Sequence, residues 1–131
     1  MKILIIDNDV STVTTLKALL MSQGDFKIEV AYSGQSGLDK MNANPDYDIL
    51  LLDIMMPEIS GLNVCELMSK SGLLRNIPVL IMSSALPISP AEFHESLKKS
   101  DKLSVVKGVL EKPFTTEDLM SQIYKVARKN L

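Results

Sequence analysis

The chain has 131 residues, of which 46% are hydrophobic and 23% are charged, and its formal net charge is -2. This length suits one domain, spanning 1–131, with a single core. The small negative charge provides no basic field for sequence-independent binding to nucleic acid. No apolar run reaches the ~20 residues of a membrane span, and the first residues carry no secretory signal, so we expect a cytoplasmic protein that does not enter the membrane.

Cysteine usage limits the metal chemistry of the chain. Cys65 is the one cysteine and His94 the one histidine. An internal disulfide is therefore excluded, and a zinc site would need more sulfur and nitrogen ligands than these two residues supply. A metal, if one binds, has to be held by oxygen atoms.

Apolar runs alternate with helical periodicity along the chain. In chain order, the sequence predicts a strand at 2–6, a helix at 10–23, a strand at 27–32, a helix at 35–42, a strand at 49–52, a helix at 62–71 and a strand at 77–82. A fourth helix begins at the capping box that starts with Ser89-Pro90, and its end is left open because charged residues mix with apolar ones over 98–107. A last strand and helix follow at 109–111 and 116–127. This α/β alternation predicts a parallel sheet with helices on both faces.

Polar side chains follow four of the five predicted strands. In chain order these strand ends carry Asp7-Asn8-Asp9, Asp53, Ser83-Ser84 and Lys112. In open α/β sheets the ligand crevice lies outside the carboxyl ends of the strands. Two carboxylates, a hydroxyl group and an ammonium group at one edge indicate a phosphoryl site, in which Mg²⁺ held by oxygen ligands offsets repulsion between an anionic nucleophile and an anionic phosphodonor.

These strand-end motifs resemble those of the receiver domains of two-component response regulators. The resemblance covers nearly the whole chain, and its motifs are the acidic cluster at Asp7, Asp53 followed by Met56-Pro57 and Gly61, Ser83, and Lys112-Pro113-Phe114. It implies a flavodoxin-like, doubly wound sheet of strand order 2-1-3-4-5. It also implies a signalling switch, not a conventional enzyme, in which Asp53 accepts a phosphoryl group from a histidine kinase or a histidine phosphotransfer protein.

The same resemblance implies a set of metal ligands. Asp7, Asp53 and the main-chain carbonyl of Met55 would hold Mg²⁺. Asn8 is the fourth predicted metal-site residue, a neutral acceptor that stands where the family usually has a carboxylate that touches the metal. We therefore expect weaker Mg²⁺ binding than is usual for the family.

Further roles implied by the resemblance concern the phosphoryl group and the output. Lys112 would pair with the phosphate, Ser83 would move to hydrogen-bond it, and the Lys112-Pro113 peptide bond is commonly cis in the family. Ser83 is preferred to Ser84 by the family register alone. The output face would be formed by helix four, strand five and helix five of a monomer or weak dimer, and would contact a protein partner and not nucleic acid directly.

Two departures concern the region that switches in the family. Val109 stands where the family usually has an aromatic residue that turns inward on activation. Ser83 and Lys112 are 29 steps apart (112 minus 83), several more than the family usually has, which places extra residues in or after helix four. Both departures predict atypical output.

Two other functions fit parts of the chain. The segment Asp7-Asn8-Asp9-Val10-Ser11 is similar to the nucleophile motif of haloacid-dehalogenase-type phosphatases, with Asp7 as the nucleophile. No acidic pair follows Lys112 in the pattern of that family, however, and Asp53 would have no role. A degenerate receiver that binds a partner without phosphorylation is the other alternative, favoured by Asn8 and Val109.

Several other residues have ordinary structural interpretations. Asp9 is expected to cap the first helix or to remain solvated. His94 is expected to be exposed, because no residue with ligand spacing accompanies it. Cys65 and the methionines are expected to fill the core.

Overall fold

The computed structural model describes residues 1–84 and 86–128. The strands are β1 Lys2–Ile6, β2 Lys27–Ala31, β3 Ile49–Asp53, β4 Val79–Ser83 and β5 Val106–Glu111. The helices are α1 Val10–Gln23, α2 Gly34–Ala43, α3 Gly61–Lys70, α4 Pro90–Lys98 and α5 Thr116–Val126, and a short 3-10 turn at Asp101–Leu103 precedes β5. None of the helices in this part of the chain is long and apolar enough to cross a membrane.

The five strands form one parallel sheet in the order β2-β1-β3-β4-β5. This order confirms the flavodoxin-like fold. β3 lies at the centre, and all five of its residues are buried, as its unbroken apolar run predicts. Asp53, the last residue of this central strand, therefore lies directly at the edge of the core.

Two apolar clusters cover the two faces of the sheet. Leu50 and Leu52 of β3 face the cluster formed with α2, α3 and α4. Ile49 and Leu51 face the cluster formed with α1 and α5. Each buried leucine side chain contributes about 1.5–3 kcal/mol relative to an exposed one. The alternation of β3 between two layers of helices thus fixes its register and the position of its carboxyl end.

Side-chain caps start the helices at defined positions. Asp9 accepts a hydrogen bond from the Ser11 N–H and so caps α1, as the sequence predicts. Ser89 accepts from the Glu92 N–H and α4 begins at Pro90, which confirms the predicted start of the helix; Glu92 accepts from the Ser89 hydroxyl and not from its N–H as in a full capping box. Each cap satisfies an N–H that the first turn of a helix leaves without a partner.

Two strands begin at residues other than the predicted ones, and β2, β3 and β4 end within one residue of the predicted positions. β4 begins at Val79, not at residue 77, because the Ile77 N–H closes a turn by donating to the Leu74 carbonyl and because Pro78 has no N–H to donate. β5 begins at Val106, three residues earlier than predicted. Val79 and Leu80 pair with Val106 and Gly108, so Lys107 is the extra residue of a β-bulge, and this bulge interrupts the alternation that marks a strand.

The expectation that the methionines fill the core is wrong at two positions, although Cys65 is fully buried. Met21 and Met55 are 61% and 65% exposed, because they lie on the outer face of α1 and in the loop after β3. The expectation that His94 is exposed is also wrong. Its ring is half-buried, and Nε2 lies 3.2 Å from the Val106 carbonyl oxygen.

Candidate functional site

The parallel register brings four predicted site residues to one edge of the sheet. Ile6 pairs with Leu52, so Asp7 and Asp53 follow at the ends of two adjacent strands. On the other side of β3, Asp53 pairs with Met82, which precedes Ser83. The Lys112 N–H donates to the Ser83 carbonyl at 2.7 Å and so fixes the end of β5 beside β4.

Lys112 lies between the two carboxylates. Its Nζ is 3.1 Å from Asp7 Oδ2 and 3.6 Å from Asp53 Oδ1. Asp7 and Asp53 are only 1% and 7% exposed. Burial of two carboxylates beside one ammonium group leaves one excess negative charge in a weakly solvated place, where charges interact strongly.

The environment of Asp53 favours its protonated form. Burial raises the pKa of the Asp53 carboxyl group above its ordinary value, and the neighbouring charge of Asp7 raises it further. The Lys112 charge and a hydrogen bond from the Met55 N–H act in the opposite direction and lower this pKa. A cation that adds positive charge beside these oxygens would favour the ionised form.

A tight turn holds the backbone on the carboxyl side of Asp53. The Gly61 N–H donates to the Ile54 carbonyl at 2.9 Å. A Cβ atom at position 61 would lie 2.5 Å from the Asp53 carbonyl oxygen and 2.8 Å from the Ile54 Cα. Only glycine lets the start of α3 approach the end of β3 this closely. In the same turn Glu58 has a φ of 66°, in the left-handed region.

The remaining predicted site residues lie around this centre. Asn8 is exposed, and the Met55 side chain points into solvent from the loop after Asp53. Ser83 is 1% exposed, whereas Ser84 is exposed. The two candidate hydroxyl residues therefore differ in burial, and Ser83 is the buried one. The Lys112-Pro113 peptide bond is cis, as the family resemblance implied.

The oxygen-rich donor set fits Mg²⁺. Among residues 1–84 and 86–128, no group of three or more histidine, cysteine or acidic side chains is arranged to hold a metal. Asp9 does not join the other two acids, because its carboxylate accepts hydrogen bonds from the Ser11 N–H and, at 2.7 Å, from the Thr12 hydroxyl. Two acidic side chains with excess negative charge, supplemented by carbonyl oxygens and water, match the usual coordination of Mg²⁺.

Sequence reasoning missed one contact that orients Asp7. The Asp9 N–H donates to Asp7 Oδ1 at 3.0 Å, while Lys112 contacts the other oxygen. The donor is a backbone group, so no residue type reveals it. The acidic cluster in the sequence could have indicated this contact, because the Asp9 side chain caps α1 and thereby fixes the position of the Asp9 N–H.

Comparison with known proteins agrees with this geometry. The family described as response regulator receiver domain matches residues 3–124. The chain belongs to this family. It is therefore the receiver domain of a response regulator in two-component signalling.

The chain is similar in sequence to several response regulators. It is 28% identical to response regulator ArlR of Staphylococcus haemolyticus over 97% of its length. It is 30% identical to response regulator MprA of Mycobacterium avium over 98% of its length. In both comparisons the match spans 52% of the relative, so the chain covers about half the length of these relatives.

Solved structures of receiver domains share the fold. Chemotaxis protein CheY4 of Vibrio cholerae superposes with a TM-score of 0.77 at 25% identity, covering 95% of this chain and 97% of that one. The receiver domain of the Francisella response regulator 1452 has a TM-score of 0.77 at 27% identity, covering 95% and 93%.

Proposed function

We propose that Asp53 is the phosphoacceptor of a two-component phosphorelay. The observation that carries this proposal is the placement of Lys112 between the buried carboxylates of Asp7 and Asp53, at 3.1 and 3.6 Å. Asp53 ends a central strand, so its carboxylate is held by the core and not by a mobile loop. A cation at this place is positioned to contact an oxygen of an incoming phosphoryl group.

The transfer is a displacement at phosphorus. An Asp53 carboxylate oxygen attacks the phosphorus of a phosphohistidine on the partner, a P–O bond forms, and the P–N bond breaks with its electron pair left on the imidazole nitrogen. Lys112 holds one phosphoryl oxygen by charge, and the Ser83 hydroxyl donates a hydrogen bond to another. Catalysis of such a transfer consists mainly of positioning and stabilising charge, which suits a site with no separate proton-transfer group.

Three oxygen donors of this chain would hold Mg²⁺: the carboxylates of Asp7 and Asp53 and the main-chain carbonyl of Met55. The ion supplies positive charge that offsets repulsion between the Asp53 carboxylate and the phosphodonor. Asn8 is exposed next to Asp7 and offers an amide oxygen where a carboxylate would add charge. Weaker Mg²⁺ binding than is usual for the family follows from this difference.

The phosphorylated chain acts as a switch whose output is protein docking. A phosphoryl group adds negative charge at Asp53, which attracts Ser83 and Lys112 and shifts the balance between two packings of the neighbouring elements. The output face comprises α4, β5 and α5. The partner that supplies the phosphoryl group is a histidine kinase or a histidine phosphotransfer protein, and the site of action is the cytoplasm. The only reactions the chain itself catalyses are its own phosphorylation and dephosphorylation.

Labelling with a small phosphodonor tests the proposal. We expect the protein incubated with Mg²⁺ and acetyl phosphate to gain the mass of one phosphoryl group, and Asp53→Asn to gain none. Asp46→Asn, an exposed acid remote from the sheet edge, is the matched control and should label like the unaltered chain. Equal labelling of Asp53→Asn would refute the proposal, and absence of labelling in every variant would favour a receiver that binds partners without phosphorylation.

A further inference from the structure

A groove of about 400 Å³ lies at the end of the sheet opposite to Asp53, and its walls carry four cationic side chains. This basic groove is lined by the cationic residues Arg75, Lys107, Lys125 and Arg128 together with Asn76, Pro78 and Val126. Pro78 and Lys107 lie at the amino ends of β4 and β5, whereas Asp53 is at the carboxyl end of β3. The length of a five-residue strand separates the two sites by roughly 13 Å.

The four cations come from three separate elements that the fold fixes side by side. The Arg75 N–H donates to the Ser71 carbonyl at 3.0 Å in the connection between α3 and β4. The Arg128 N–H donates to the Asp48 carbonyl at 2.8 Å and so holds the end of α5 against the start of β3. These contacts fix the backbone at Arg75 and Arg128, and both residues line the same groove.

Lys107 and Lys125 come together through two features of β5. Lys107 is the extra residue of the β-bulge, and it is exposed while both of its neighbours in the strand are buried. Gly108 lets α5 pack closely, because a Cβ atom there would lie 2.9 Å from a methyl group of Val126 and 3.0 Å from Leu80. The bulge and the glycine therefore bring the Lys107 side chain next to the last turn of α5.

Positive charge predominates among the described residues that line the groove. No acidic residue lines it, and none of its four cations forms an ion pair with a described carboxylate. The Arg128 Nε is buried without a hydrogen-bond partner among these residues. A buried donor without a partner lowers the stability of the folded chain.

A lysine in a bulge on an edge strand also protects the edge from pairing with other strands. That role involves Lys107 alone. It does not explain why Arg75, Lys125 and Arg128, from two other elements, surround the same groove.

We propose that the basic groove binds an acidic peptide segment of a partner protein. Arginine side chains bind carboxylates with two parallel hydrogen bonds, and two arginines, Arg75 and Arg128, line the groove. Pro78, Val126 and the aliphatic stems of the lysines provide apolar contacts for residues between the acidic ones. The groove lacks an aromatic side chain on which a nucleobase could stack, which favours a peptide over a nucleotide.

A fluorescence anisotropy titration with a fluorescein-labelled octapeptide of alternating glutamate and alanine tests the proposal. The double variant Arg75→Gln, Lys107→Gln should weaken binding of this peptide by roughly tenfold or more, because two charged hydrogen-bond donors are lost. Lys17→Gln, Lys40→Gln removes the same charge from exposed positions on α1 and α2 and should keep the affinity of the unaltered chain. Asp53→Asn should also keep it, so this outcome is separable from the failure of phosphorylation.

Four results would overturn the inference. The first two are no binding at millimolar peptide and equal weakening of binding in the Lys17 and Lys40 control variant. The third is displacement of the peptide by an equal concentration of pyrophosphate. The fourth is peptide-induced NMR shifts of backbone amides that map away from 75–78, 105–107 and 125–128. Pyrophosphate displacement would assign the groove to a small polyanion. If the variant that contains Lys107→Gln aggregates through its exposed edge strand, the double variant Lys125→Gln, Arg128→Gln replaces it. We expect the same loss of peptide affinity, and the control is the same.

Discussion

At the scale of single residues, burial and charge at the end of β3 determine what Asp53 can do. The pKa of its carboxyl group is raised by burial, so the folded state disfavours the ionised form. The stability that the protonated Asp53 carboxyl group contributes is fully present at a pH below the pKa of this group in the unfolded chain. It is lost as the pH rises through the higher pKa that the group has in the folded state. The ionised carboxylate is therefore destabilising at neutral pH, which is the condition under which a phosphoacceptor has to be ionised.

We expect Asp53→Asn to raise the free energy of unfolding at pH 7 in a buffer that contains EDTA. The gain should shrink as pH falls toward 4, because protonated Asp53 is neutral like asparagine. Urea unfolding followed by circular dichroism at several pH values measures both effects. Asp46→Asn is exposed and should change stability by less than about 0.5 kcal/mol. A loss of stability in Asp53→Asn at pH 7 would contradict this account of the site.

Replacing Lys112 should have the opposite effect on the free energy of unfolding. Lys112→Met leaves the buried carboxylates of Asp7 and Asp53 without their shared cation, and we expect it to lower the free energy of unfolding by about 1–3 kcal/mol. This expected loss is smaller than that for breaking a fully buried ion pair, because the lysine side chain is 21% exposed. Combining it with Asp53→Asn should restore part of the loss, which a double-mutant cycle measures. Strict additivity would show that the two side chains do not interact.

A substitution at Asn8 tests the proposed Mg²⁺ site. Asn8→Asp adds a carboxylate beside Asp7, and we expect Mg²⁺ to bind several-fold more tightly because affinity rises with the charge of the ligand set. Isothermal titration with Mg²⁺ gives the affinity directly. Asn63→Asp, an exposed position on α3, is a control for added charge alone. Unchanged affinity in Asn8→Asp would mean that position 8 does not reach the ion.

Among the secondary-structure elements, the turn between β3 and α3 sets the position of Asp53. Gly61→Ala puts a methyl group against the backbone of Asp53 and Ile54, at 2.5 and 2.8 Å, and backbone cannot rotate away as a side chain does. We expect a loss of about 1–3 kcal/mol in unfolding free energy and slower labelling by acetyl phosphate. Gly72→Ala is the matched control, because its Cβ would meet nothing within 4 Å. Equal effects of the two substitutions would show that the turn is not tightly packed.

The elements also show which parts of the fold the sequence could predict. β3 was predictable because the run from Ile49 to Leu52 has no polar interruption, and α4 because Ser89 and Pro90 form a recognisable start. The beginning of β5 was not, because the bulge at Lys107 breaks the two-residue period on which strand recognition rests. Met55 was misassigned to the core because a composition rule for methionine takes no account of a loop that faces solvent.

At the scale of the whole molecule, the parallel sheet explains why the candidate site could be assembled from sequence. Strand ends of a parallel sheet meet at one edge, so Asp7, Asp53, Ser83 and Lys112 could be grouped without knowledge of any side-chain contact. The basic groove at the opposite end could not be found in this way. Its cations come from a loop, a bulge and a helix end, which share no sequence pattern and become neighbours only in the folded chain.

The residue that carries the phosphoryl group after labelling distinguishes Asp53 from Asp7 as the nucleophile. The chain is treated with acetyl phosphate and Mg²⁺, the acyl phosphate is reduced with borohydride, and the modified residue is located by tandem mass spectrometry. We expect the modified residue to be Asp53. Modification at Asp7 would instead indicate chemistry of the phosphatase type and would contradict the assignment of Asp53 as the phosphoacceptor.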